Sequence, residues 1–307
     1  MQIIATIIPI FIIILVGWIV YHRGFLPEGF VVPANRLVYY VAMPAMIFQS
    51  VTRSNLKAWF NPRATALTLI ALVGTYLFAW GVSRMMRQDR ATAGTFIQSC
   101  GHGNLVYIGL AVAYYFLGEE GMARGSLIAG FMFIAQNLCS VMALQYYAPK
   151  GGKRFGPWGY LKSITRNPVI LSVAAGLLVS LAGLPIPEIL RRSLSIISSL
   201  ALPMALLIIG ASLSPERIRF FGATALATAA IKLLVMPAVG WGLYLFFKVP
   251  ASDMLPGLIL LASPTATVTY VLAKEMNGDS DLAVAAISVN TLLSAGTLML
   301  WLKLSAG

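Results

Sequence analysis

Long apolar runs separated by short polar ones recur from one end of the chain to the other. Ten such runs fall at 2–21, 33–51, 64–85, 91–117, 122–147, 167–183, 188–213, 220–247, 251–277 and 280–303. Each is close to the roughly 20 residues that a helix needs to cross the hydrocarbon core of a bilayer. Inside lipid a chain must satisfy its own backbone, which helices do within a single segment. The longest connection, Ala148 to Arg166, is a short basic loop that leaves no room for a soluble domain. The pattern predicts one all-α integral membrane domain with ten transmembrane helices.

A second periodicity lies over the first. Pro9, Gly17, Gly24, Pro44 and Gly81 are matched by Pro168, Gly176, Gly183, Pro203 and Gly240, each pair 159 residues apart (168 − 9). Around the fourth pair, Tyr39 to Ala45 echoes Ser198 to Met204. A repeat of about half the chain in a strongly apolar protein points to a transporter fold built from two related units. The halves are 1–147 and 167–307, joined by the basic loop 148–166. With five spans in each, an odd number, the second half enters the membrane upside down, which makes the repeat inverted.

Composition supports the class. Hydrophobic residues make up 59% of the chain and charged ones 10%, with a mean hydropathy of +0.83. An ordinary soluble domain carries about 25% charged residues. The net charge of +12 is not a nucleic-acid footprint, because the basic residues sit in loops between spans. Counted on alternate sides, the loops hold 13 Lys and Arg against 8, with Lys232 left inside a span. The positive-inside rule puts the 13-charge side in the cytoplasm. Both termini then lie on the non-cytoplasmic side of the cell (inner) membrane. The first run lacks a basic leader and a small-residue cleavage site, so it reads as a span rather than a signal peptide. Cys100 and Cys139 lie within apolar runs without metal-type spacing and read as packing residues. No metal and no cofactor are expected.

Ionisable groups are costly inside a bilayer, so those present are the first candidates for function. All ten acids fall in loops or at span ends. No carboxylate is placed to carry a proton or hold a cation at mid-membrane. Lys232, near the middle of the eighth span, leaves the interior electropositive, unless it snorkels or pairs with a helix C-terminus.

The fourth span contains Gln98-Ser99-Cys100-Gly101-His102-Gly103-Asn104. Two glycines around a histidine, followed by asparagine, make a poor mid-membrane helix and a good place to unwind one. The residue 159 positions beyond Asn104 is Ser263, followed by Pro264 and Thr265. Proline removes a donor and clashes with the preceding turn, so the ninth span should break as well. Interrupted segments at matching places in two halves point to a transporter's binding site. Their freed N–H groups carry partial positive charge and suit an anion. His102 either titrates near neutral pH and couples transport to protons, or is a neutral imidazole bonded to a carbonyl. Gln136, Asn137 and Asn290 either line the same cavity or hydrogen-bond between helices. A search for HExxH, paired membrane aspartates, GxSxG and a Cys/His pair finds no catalytic set, so the chain reads as a non-enzyme.

These residues resemble the auxin efflux carrier family, which includes the plant PIN proteins and bacterial malonate-type carriers. The resemblance runs through Pro9-Ile10-Phe11, Gly17 and the stretch from Asn35 to Pro44. It continues in Asn104-Leu105-Val106-Tyr107-Ile108-Gly109, where Ala111 replaces the family's following proline, and in Pro264 through Ala273-Lys274-Glu275-Met276-Asn277. It covers nearly the whole chain and lacks the long cytoplasmic loop of many plant members. It implies a fold like those of the NhaA antiporter and the bile-acid transporters, with spans four and nine broken and crossing at mid-membrane. It also implies organic-anion substrates, a homodimer with spans one, two, six and seven as scaffold, and an elevator movement of the rest. The predicted substrate-binding set is Gly101, His102, Gly103, Asn104, Asn137, Lys232, Ser263, Pro264, Thr265 and Thr267. An anion channel or a receptor that binds an anion without moving it would use the same scaffold.

Overall fold

The structure is a computed structural model that describes residues 2–53, 60–148 and 165–306. Most of the basic loop 148–166, with Lys150, Lys153, Arg154 and Lys162, lies outside the described residues, as does Lys57. Among the described residues all regular structure is helical. Fourteen α-helices follow in order: α1 Gln2–His22, α2 Glu28–Leu37, α3 Met43–Thr52, α4 Pro62–Met85, α5 Arg90–Gly101, α6 Leu110–Tyr147, α7 Pro168–Leu181, α8 Glu188–Ser199, α9 Ala201–Ala211, α10 Pro215–Ala230, α11 Met236–Phe246, α12 Ala251–Ala262, α13 Val268–Glu275 and α14 Ser280–Ala306.

By length and composition, seven helices among the described residues are apolar enough to cross a membrane: Gln2–His22, Gly29–Thr52, Pro62–Met85, Leu105–Tyr147, Glu188–Ala211, Phe221–Phe246 and Ser280–Ser305. Pro168–Leu181 and Ala251–Ala262 are shorter apolar helices. Ten apolar runs thus become seven long helices among the described residues, because one run forms only a short helix, one is cut and two are joined. The run 251–277 is cut into α12 and α13. The runs at 91–117 and 122–147 are joined in α6, where Gly118 at φ 72° and ψ −160° bends the chain between two helical pieces. Outer faces carry exposed apolar side chains, such as Ile4, Ile8, Ile12 and Leu15 along α1. At about 25 cal/mol per Å² such surface would be costly in water, and in lipid it is not.

Proline explains the bends. Pro44 is the second residue of α3, and its missing N–H cannot reach back to Tyr40. The chain widens into a π-turn at Val38–Ala42 just before it. Pro237 follows the π-turn Ile231–Val235 in the same way. Pro203, the partner of Pro44, follows the interruption between α8 and α9 at Leu200, whose N–H bonds Ile197 at 3.2 Å.

The 159-residue offset reappears in the backbone. α1 closes on Gly24 (φ 78°), with Gly24 N–H to Tyr21 O and Phe25 N–H to Val20 O at 3.0 and 3.1 Å. α7 closes on Gly183 (φ 62°), with Gly183 N–H to Ser180 O and Leu184 N–H to Val179 O at 3.3 and 3.2 Å. Both closures use a left-handed residue that glycine adopts without strain. Gly118 and Asn277 form a second left-handed pair at this offset, with φ of 72° and 57°. Helix contacts follow it as well. A methyl group placed on Gly17 would lie 2.2 Å from Leu207 O, and one on Gly176 would lie 3.3 Å from Phe48 O. Positions 48 and 207 are themselves 159 apart.

The tightest approach is that of α1 and α9, where a methyl on Gly210 would sit 1.9 Å from Ile14 O. Neither backbone can yield without parting the helices. We therefore expect Gly210→Ala to lower the melting temperature of the detergent-solubilised protein by several degrees. Gly74→Ala, which meets open space on α4, should match the parent or gain up to about 1 kcal/mol from better helix propensity.

Candidate functional site: two paired helix breaks

Helix α5 stops at Gly101 because His102 turns to extended backbone (φ −85°, ψ 94°). The chain resumes helical form in the π-turn Leu105–Gly109, capped by Asn104, whose Oδ1 accepts Tyr107 N–H at 3.3 Å. Helix α12 stops at Ala262, where Ser263 is extended (φ −63°, ψ 142°), and α13 begins after Thr267. The two unwound segments lie against each other as an antiparallel bridge between Gly103 and Thr265. Asn104 N–H donates to Pro264 O at 2.7 Å, and Ala266 N–H donates to His102 O at 2.9 Å. Thr265 Oγ1 also donates to Ser99 O at 2.8 Å. Each break thus supplies the other with the partners that its own helix has given up.

Side chains close the remaining gaps. The amide of Gln136, on α6, grips Gly103 from both sides: Oε1 accepts the Gly103 N–H at 3.1 Å, and Nε2 donates to Gly103 O at 3.3 Å. Gly101 has no room for a side chain, since a methyl there would stand 2.2 Å from the Tyr76 ring. The Tyr76 hydroxyl meets Ser140 Oγ at 2.7 Å, and Ser140 Oγ meets His102 Nδ1 at 2.9 Å. The histidine's partner is thus a hydroxyl rather than a carbonyl. Pro264 is buried, and Ser263 Oγ donates to Leu260 O at 2.7 Å.

Lys232 is fully buried in the π-turn Ile231–Val235. Its Nζ donates to Leu261 O at 2.7 Å and contacts Met236 Sδ at 3.3 Å. It also reaches the first break, since a methyl on Gly103 would lie 3.2 Å from Nζ and 2.9 Å from Ser263 Oγ. Of the two bland fates open to this lysine in the sequence, pairing with a helix C-terminus is the one observed. Among the described residues it is the buried charged side chain, and no buried carboxylate accompanies it.

The structure therefore gathers Gly101, His102, Gly103, Asn104, Lys232, Ser263, Pro264 and Thr265 around one bridge. Thr267 stands at the head of α13, half-buried and without a side-chain cap bond. Asn137 is not brought in by hydrogen bonding: its Nδ2 donates to Phe133 O of its own helix at 2.7 Å. Gln136, one residue earlier and about 100° around the helix, makes the contact instead. Asn290 donates to Thr228 Oγ1 at 3.1 Å and to Ala286 O at 2.8 Å, and its Oδ1 has no partner. The N–H groups of Gly103 and Asn104, which the break releases from the helix, are occupied within the protein rather than left for an anion. Four buried polar atoms beside the first break are without a hydrogen bond: both amide atoms of Gln98, Ser99 Oγ and His102 Nε2. Such groups are costly unless a water or ligand meets them. A separate cavity of about 360 Å³ is lined by Gln49, Ser50, Arg53, Tyr114, Ser198 and Pro203 among others.

A multi-helical membrane protein whose broken helices pair back to back belongs to the world of transporters. The sequence pattern of the family described as membrane transport protein matches residues 2–154 and 159–302, and the chain belongs to this family, that of the auxin efflux carriers. It is 25% identical to an uncharacterized transporter of Methanocaldococcus jannaschii, over 96% of both chains. It is also 25% identical to the uncharacterized transporter YfdV of Escherichia coli, over 98% of this chain and 97% of that one. A Rhizobium meliloti protein named "Putative malonate transporter" is 26% identical, over 96% of this chain and 93% of its own.

The Gln136 grip gives a sharp contrast. Gln136→Leu strips both polar groups of Gly103 of their partner, and should cost about 1–3 kcal/mol. Asn137→Leu gives up only a bond within its own helix and should cost much less. Thermal unfolding of the two purified variants tests the difference.

Proposed function

We propose that the protein is a secondary carrier of small organic anions, with carboxylates of the malonate or auxin type as the substrate class. The observation that carries this reading is the antiparallel pairing of two buried helix breaks beside a buried lysine, with no buried carboxylate among the described residues. In the proposed topology ten spans form a five-plus-five inverted repeat, and spans four and nine cross at the breaks. The recurrence of left-handed residues and helix contacts at the 159-residue offset supports it. The loop charges favour an inner-membrane protein with both termini non-cytoplasmic. A homodimeric scaffold made of spans one, two, six and seven, with elevator movement of the remainder, completes the proposal.

The substrate carboxylate would be met by partial positive charge. At the first turns after the breaks, the N–H groups of Val106 and Val268 have no intrahelical acceptor by position. Lys232 has three donors and, among the described residues, meets one carbonyl, Leu261 O, and one thioether, Met236 Sδ. Gln98 and Ser99 add unsatisfied polar atoms beside the first break. Asn104 acts mainly by shaping the site, because its side chain caps the second half-helix. No step calls for a metal, a cofactor or covalent chemistry.

Thermal stability against a panel of mono- and dicarboxylates tests the reading. A ligand at 100 times its Kd should stabilise the protein by about 2.7 kcal/mol. Wild type is expected to respond to at least one carboxylate, and a folded Asn104→Ala variant to lose most of that response. A panel in which only neutral or cationic solutes stabilise the protein would overturn the proposal.

A further inference from the structure

We infer that Lys232 is a built-in substitute for a coupling cation: its ammonium fills the cation seat at the C-terminal end of α12, so that this seat takes no sodium. The inference rests on the carrier reading above. The end of a helix leaves carbonyls without intrahelical donors and carries partial negative charge. In transporters with broken helices, such ends and unwound carbonyls are where a sodium ion or proton is held. Here α12 ends at Ala262, and two of its last four carbonyls are already taken. Leu261 O receives Lys232 Nζ at 2.7 Å, and Leu260 O receives Ser263 Oγ at 2.7 Å.

The position of the lysine fits a device rather than a stray charge. It lies on a π-turn, an insertion frequent at functional sites, and it is fully buried, where an unpaired ammonium is expensive. Among the described residues no buried carboxylate lies beside it to balance it. Asp253, at the opposite end of α12, is paired with Arg124. Glu275, at the far end of α13, is exposed. Among the described residues the ammonium is held by the Leu261 carbonyl, an oxygen of the kind that holds a hard cation, and packs against the Met236 thioether, which does not; unlike a bound ion, it is tethered to the chain.

The test is the melting temperature of the purified protein at constant ionic strength, with sodium chloride exchanged for choline chloride. Wild type is expected to be unchanged within about 1 °C, since its seat is full. Lys232→Ala empties the seat: its lower melting temperature should rise, saturably and by at least about 2 °C, with sodium or methylammonium as the probe. Saturable stabilisation of wild type by sodium would overturn the inference, as would a folded Lys232→Ala protein indifferent to both probes. Lys232→Ser serves if the alanine variant does not fold, and the wild-type arm stands without either. Carboxylates are titrated separately. Cation rescue without any carboxylate response keeps the seat and removes the anion-carrier reading, and a carboxylate response without rescue does the reverse.

Discussion

A peptide group that leaves a helix inside hydrocarbon must find another partner, because no water is there to take its place. The arrangement around residues 102–104 and 263–267 is a solution to that constraint. Asn104 N–H to Pro264 O and Ala266 N–H to His102 O tie the two breaks together. Neither break would be tenable alone, and the halves of the chain are joined at the place where each is weakest. The rest of the interior supports this contact. Gly101 yields its side-chain volume to Tyr76, Gln136 grips Gly103, and Lys232 neutralises the end of α12.

Much of this was legible in the sequence, for a physical reason. Glycine and proline constrain the backbone directly, yet Gly24, Gly183, Pro44 and Pro203 were legible only as marks of the repeat; that the glycines close helices in left-handed conformation and that the prolines follow interruptions came from the structure. The breaks could be placed because Gly101, Gly103 and Pro264 are poor helix residues wherever they occur. What stayed hidden depends on helical phase and on carbonyls. Choosing Gln136 rather than Asn137 requires knowing the rotation of α6, which is set by the bend at Gly118 and by packing. The partner of Lys232 is a main-chain oxygen, which no residue type reports. Tyr76 and Ser140, which organise His102, carry no sequence signal, because an apolar span with scattered hydroxyls looks the same wherever it turns.

Function grows out of the same compromise. Pairing the breaks satisfies most of the released backbone but not all of the polar side chains nearby, and Gln98, Ser99 and His102 Nε2 remain unmet. On the proposed reading, the anion would be met where the buried Lys232 lies beside the paired breaks, with no buried carboxylate among the described residues.

Counterflow in proteoliposomes reaches the central claim most directly. Vesicles loaded with unlabelled malonate and diluted into labelled malonate should take up label faster and further than empty vesicles, and uptake should saturate with concentration. Flux that rises linearly without saturation and is the same in loaded and empty vesicles would contradict a carrier whose one site alternates between two faces.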